Sequence, residues 1–169
     1  MEEILESFKS WILESNTPNK FYHASIHDNL KYMKPRLPNQ KNAMVISGDE
    51  NNMIERISFA PSILFCLMAL GYNLVKDGPK IFYIYEPIDY KKVRTISNEE
   101  IIKNKYVPDA HKTKELWVIN KIEVKKSYKI KVLKALDKYE EYYWHASWNQ
   151  GKLTKAKLYY WDYKILEEY

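Results

Sequence analysis

The stretch "RISFAPSILFCLMALGYNL", residues 56–74, constrains the fold more than any other part of the chain. Its first five residues, "RISFA", read as a half-buried strand. Pro61 comes next, and a proline can open a helix because the first helical residue has no intrahelical N–H bond to lose. From Ser62 to Leu74 the run is too long and too continuously apolar for a strand, so it reads as a buried helix. Such a pair needs a surrounding core, and 169 residues suffice for one domain that has one.

The other elements follow from periodicity and punctuation. Residues 2–15 read as an amphipathic helix, with Ile4, Leu5, Phe8, Trp11 and Ile12 on one face, stopped by "SNTPN". "KFYHAS" is a short strand, "KPRLPNQKNAMVISGDENN" a loop and "KDGP" a turn. "KIFYIYEPI" is a strong strand ended by Pro87. "SNEEIIKNK" sets Ser97 three residues before Glu100, the spacing of a capping box, and predicts a short helix. "ELWVINKIEV" and "SYKIKVLKAL" read as strands. "YYWHASW", a Gly-centred turn at "NQGK" and "AKLYYWDYKIL" form a hairpin signature at about 142–166. With few βαβ units in this order, the expected class is α+β with a mostly antiparallel or mixed sheet. Fifteen tyrosines and five tryptophans agree with much β-structure.

Charge and cysteine content narrow the function classes. The net charge is +5, and residues 101–135 hold ten lysines against Asp109, Glu115 and Glu123. That excess suits an anionic partner as well as a solvated face. The single cysteine, Cys66, excludes an internal disulfide and reads as a small core residue. Four scattered histidines and one cysteine give no ligand spacing, so no metal is expected. The acidic start "MEEILESFKSW" lacks a signal-peptide apolar core, and no stretch reaches membrane-spanning length. The chain is therefore expected to be soluble and cytoplasmic, without a membrane partner. "HAS" occurs twice, at His23 and at His145, without shared flanks, which reads as coincidence rather than as a repeat.

Three motifs in order carry a resemblance. "FYHAS", "RISFAPSILFCLMAL" with "IFYIYEP" after it, and "TKELWVINKIEVKKSYKIKV" together resemble the ADP-ribosyltransferase fold. The branch is the one that includes poly(ADP-ribose) polymerases and the small rifampicin-modifying transferases. The similarity covers about residues 20–134 of a single 1–169 domain, and the N-terminal helix and C-terminal hairpin lie outside it. The resemblance implies a split mixed sheet with an NAD-binding cleft between its halves. His23 would bond a ribose hydroxyl of NAD, and the backbone of Ala24, beside Ser25, would hold the nicotinamide carboxamide. Ser58 and Ala60 would lie on the pocket side of the second motif. Phe65 or Tyr72 would stand in for a stacking tyrosine, and Glu115 would be the catalytic carboxylate. The implied activity is transfer of ADP-ribose from NAD, as substrate, to an acceptor that is a protein, a nucleic acid or a small molecule.

The residue types suit that chemistry on their own terms. Breaking the bond between ribose and nicotinamide builds positive charge on the sugar, and a fixed carboxylate stabilises that charge most in the transition state. The alternative is an inactive protein on the same fold that grips a protein or nucleic acid through its basic face. It draws on Ala24, where the family has glycine, and on Lys114, a cation adjacent to Glu115.

Overall fold

The computed structural model describes residues 20–38, 53–70, 78–107, 110–144 and 153–169, with side chains described outside 136–159. The helix read over 2–15, most of the 34–52 loop, Tyr72, His145 and the "NQGK" turn fall outside the described residues.

The order is β1 (His23–Ser25), β2 (Tyr32–Met33), β3 (Ile57–Phe59), α1 (Ile63–Ala69), β4 (Lys80–Pro87), a 3-10 turn (Tyr90–Lys92), β5 (Thr95–Ile96), α2 (Asn98–Lys103), α3 (Ala110–Thr113), β6 (Leu116–Val118), β7 (Ile122–Trp144) and β8 (Leu153–Glu168). The fold is α+β with antiparallel sheets and few helices. One sheet runs β1-β4-β7-β2 with β8 also on β7, and a smaller one runs β3-β6-β5.

Local chemistry explains several boundaries. Ser62 caps α1, its Oγ accepting from the Phe65 N–H at 3.4 Å. Pro61 therefore precedes the cap instead of occupying the first helical position, and the described helix ends at Ala69. The capping box of α2 forms as its spacing predicts: Ser97 accepts from the Glu100 N–H, and the Glu100 carboxylate accepts from the Ser97 N–H. "ELWVINKIEV" is not one strand. It breaks at Asn120, whose side chain accepts from the Arg94 N–H and donates to the carbonyls of Lys92 and Lys121. There the chain leaves the small sheet as β6 and enters the large one as β7. "SYKIKVLKAL" and "YYW" then lie on one continuous strand, and past Val132, where β4 stops, the described pairing is β7 with β8 alone.

Three apolar clusters order the layers. α1 covers one face of the large sheet, with Ile63, Cys66 and Leu67 packed on Tyr22, Ala24, Phe82, Ile84, Ile130, Val132 and Trp161. The opposite face meets the small sheet through Tyr85, Ile122 and Val124 on one side and Ile57, Phe59 and Val118 on the other. Ile101, Val107 and Ala110 cover the outer face of the small sheet at Trp117. Cys66 is buried, as a core residue should be.

Trp161 is the bolt that ties β8 to the body, being 2 % exposed, while its neighbour Tyr160 is 40 % exposed. Trp161→Ala should cost about 3–5 kcal/mol in urea unfolding, the usual cost of truncating a buried large aromatic. Tyr160→Ala should cost less than about 1 kcal/mol. Equal losses would show that β8 does not alternate between core and solvent as described.

Candidate functional site

The site begins where β1 and β3 part. Tyr22 and Ala60 form one complete backbone rung, with Tyr22 N–H to Ala60 O at 2.8 Å and Ala60 N–H to Tyr22 O at 2.9 Å. In an antiparallel ladder the next rung on these edges would join Ala24 to Ser58. It does not form. β1 turns to β4, pairing His23 with Tyr85, Ala24 with Ile84 and Ser25 with Tyr83. β3 turns to β6, pairing Ser58 with Trp117 and Phe59 with Leu116. The imidazole of His23 enters the gap, and its Nδ1 lies 2.8 Å from the Ser58 carbonyl oxygen. Two residues before Ser58, just outside β3, Arg36 and Arg56 exchange backbone hydrogen bonds at 3.0 and 3.2 Å and close the other end. Alternation turns the N–H and C=O of Ala24, and the N–H of Ser58, toward this gap.

A carbonyl oxygen only accepts, so Nδ1 of His23 carries the hydrogen and the neutral ring keeps its lone pair on Nε2. Burial pushes the imidazole below its usual value. The Ser58 carbonyl opposes that shift, and the nearby Arg36 charge adds to it. His23 also leans on the Phe59 ring, centroids 5.6 Å apart.

Ser58 joins His23 to Glu115. Its Oγ donates to Glu115 Oε1 at 2.6 Å. The same oxygen accepts from Trp117 Nε1–H at 2.6 Å. Strand periodicity explains the second bond, since residues two apart share a face. Glu115 is 7 % exposed. Among the described residues it forms no ion pair, and no donor reaches Oε2. The backbone delivers the carboxylate by a left-handed turn: Lys114 sits at φ 54°, its N–H bonded to the Ala110 carbonyl at 2.9 Å. Asn98 then clamps the turn, its amide donating to the carbonyls of Ala110 and Glu115, each at 2.8 Å.

The structure thus brings His23, Ser58 and Glu115 together around one residue. It leaves other candidates at the margin. The Ala24 methyl packs into the core beneath α1, away from the gap. The Ser25 hydroxyl is taken by the His27 N–H at 3.1 Å. Ala60 supplies the rung, and Phe65 packs half-buried on the core under α1. Lys114 is exposed. Sequence reasoning missed Trp117, Asn98 and Arg36. The period-two step from Glu115 to Trp117 was the available signal for the first; nothing local signals the other two.

A second buried carboxylate, Glu86, is tied off. Burial would raise it, but bonds from Lys125 at 3.1 Å, Ser127 at 2.9 Å and Tyr90 at 3.1 Å prevail and hold it below the usual carboxylate range. The lysine excess is partly spent the same way, as Lys126 pairs with Asp28 and Lys129 with Glu167. Among the described residues no cluster of three or more His, Cys, Asp or Glu is gathered to hold a metal, and no helix is long and apolar enough to cross a membrane.

No family model, curated protein or solved structure matches this chain.

The depressed His23 gives a pH test. Where the folded state holds a histidine below its unfolded value, the unfolded chain binds the extra proton. That share of stability is therefore present above about pH 6.5 and is lost as pH falls below it. His23→Asn keeps a side-chain N–H for the Ser58 carbonyl but does not titrate. Urea unfolding at pH 7.5 and 5.5 should show a smaller acid loss for the variant than for the parent. An identical loss in both would mean that folding does not lower the proton affinity of His23.

Proposed function

We propose that the chain is an NAD-dependent ADP-ribosyltransferase built on a split sheet of the ADP-ribosyltransferase kind. One observation carries the reading: Ser58 bonds His23 through its carbonyl and Glu115 through its hydroxyl. Residues from three separated motifs, which the resemblance assigns to one nucleotide site, meet at that serine.

The chemistry follows from the atoms left available. Nε2 of His23 accepts a hydrogen bond from a ribose hydroxyl. The Ala24 N–H and C=O match a carboxamide, which has one acceptor and a donor side. Glu115 Oε2 faces the same sugar. The bond from ribose to nicotinamide breaks, and its electron pair leaves with nicotinamide. The carboxylate stabilises the positive sugar, the acceptor's nucleophile bonds to the vacated carbon, and its proton passes to Glu115.

Both features behind the binding-protein alternative stand apart from this site. The Ala24 methyl is in the core, and Lys114 is exposed without touching the carboxylate. Its basic face is partly neutralised by Glu86, Asp28 and Glu167.

Incubation with labelled NAD and a cell lysate tests the reading by free nicotinamide and by labelled macromolecules. Glu115→Gln should lower nicotinamide release by about a hundred- to a thousandfold while NAD still raises the thermal midpoint. His23→Ala should weaken NAD binding and slow turnover together, because it positions the sugar. NAD binding by the parent without any nicotinamide release would favour the binding protein instead.

A further inference from the structure

We infer that Trp117, with Arg56 stacked on it, is the positioning device for Glu115: it fixes the carboxylate by one oxygen, with no contacting cation among the described residues. The inference rests on the proposed transferase reading for its catalytic meaning, and on the described geometry for the rest.

A buried carboxylate is normally held by a cation, and Glu86 in this protein is an example, bonded to Lys125. Glu115 is treated differently. Both donors to Oε1, the Ser58 hydroxyl and the Trp117 indole N–H, are neutral. Neutral donors suit a group that must answer charge on a substrate, because a contacting cation would already have satisfied it. They also fix the rotamer. Oε1 is occupied twice and, among the described residues, no donor reaches Oε2, which is the oxygen left for a ligand.

The indole is itself fixed. Trp117 is fully buried, the Tyr106 ring stacks on it at 5.5 Å and 13°, and the Arg56 guanidinium lies 3.9 Å from its ring centre. A cation over an aromatic face is attracted to the ring electrons. It draws those electrons toward itself and makes the indole N–H a stronger donor. Positive charge thus reaches Glu115 through the ring while the guanidinium stays off the carboxylate. Arg56 is in turn anchored, its Nη1 donating to the Ile54 carbonyl at 3.2 Å.

Two measurements test this. In the intact protein, the 15N-edited indole N–H resonance of Trp117, assigned through the indole's proton contacts with the stacked Tyr106 ring, should lie downfield at neutral pH. It should move upfield in Glu115→Gln, where a neutral amide replaces the charged acceptor, and by a smaller amount in Arg56→Met. In nicotinamide release, Trp117→Phe should lower kcat by about ten- to a hundredfold, the scale of one hydrogen bond to a charged group, with KM for NAD little changed. Arg56→Met should lower kcat less, and the double variant should be no worse than Trp117→Phe alone, because Arg56 acts through the ring. An indole resonance that ignores Glu115→Gln would overturn the inference, whether or not Trp117→Phe folds. Additive losses would overturn the role of Arg56. An inactive parent whose indole resonance still follows Glu115 would support the tether and overturn the transferase reading.

Discussion

The two sheets part at one backbone rung, and the site depends on it. Tyr22 and Ala60 exchange both of their hydrogen bonds, and the rung that should follow is missing. A buried strand edge cannot leave its polar groups unpaired without cost, about 1–3 kcal/mol for each. His23 relieves one of them, since its ring donates to the Ser58 carbonyl that Ala24 would have satisfied. The imidazole therefore does two things at once. It bridges the two sheets where they diverge, and its neutral form keeps a lone pair on Nε2.

Entry of β1 into that rung is braced from behind. The Phe21 ring meets Phe59 and Tyr90 edge-on at 5.2 and 5.0 Å. Tyr90 donates to Glu86, and Glu86 is bonded to Ser127 and Lys125 on β7. Burial and the neighbouring Glu86 charge push the Tyr90 hydroxyl far above its usual value, so it stays a donor at all ordinary pH. The two buried carboxylates thus have separate tasks. Glu86 is neutralised by cations and serves as a strut. Among the described residues Glu115 meets only neutral donors, both on one oxygen. Environment, not residue type, makes that distinction.

Much of this was legible in the sequence. The strand at "RISFA", the turn into an apolar helix and the Ser97 capping box are local matters, and short-range chemistry predicted them. The meeting of His23, Ser58 and Glu115 is long-range, and only an ordered resemblance pointed to it. Strand limits were less legible. "ELWVINKIEV" alternates smoothly across Asn120, and nothing in its pattern says that the chain changes sheets there. The partners of Asn120, at Lys92 and Arg94, are set by folding. Trp117 reads as core by composition and is buried, yet its indole N–H is what links it to the site. Lys114 beside Glu115 looked like a counter-ion on sequence adjacency. Its positive φ places it exposed, where adjacency along the chain means little.

The claim at the centre is that the splay between β1 and β3 is a nucleotide slot. Backbone amide mapping of the 15N-labelled protein tests it most directly, with NAD titrated to millimolar concentration. The account predicts that the largest shifts fall on the amides of Ala24 and Ser58, which face the gap, with smaller ones at Glu115 and Trp117. Largest shifts on the lysine-bearing strand at Lys125–Lys134, or no shift at Ala24 and Ser58, would contradict it.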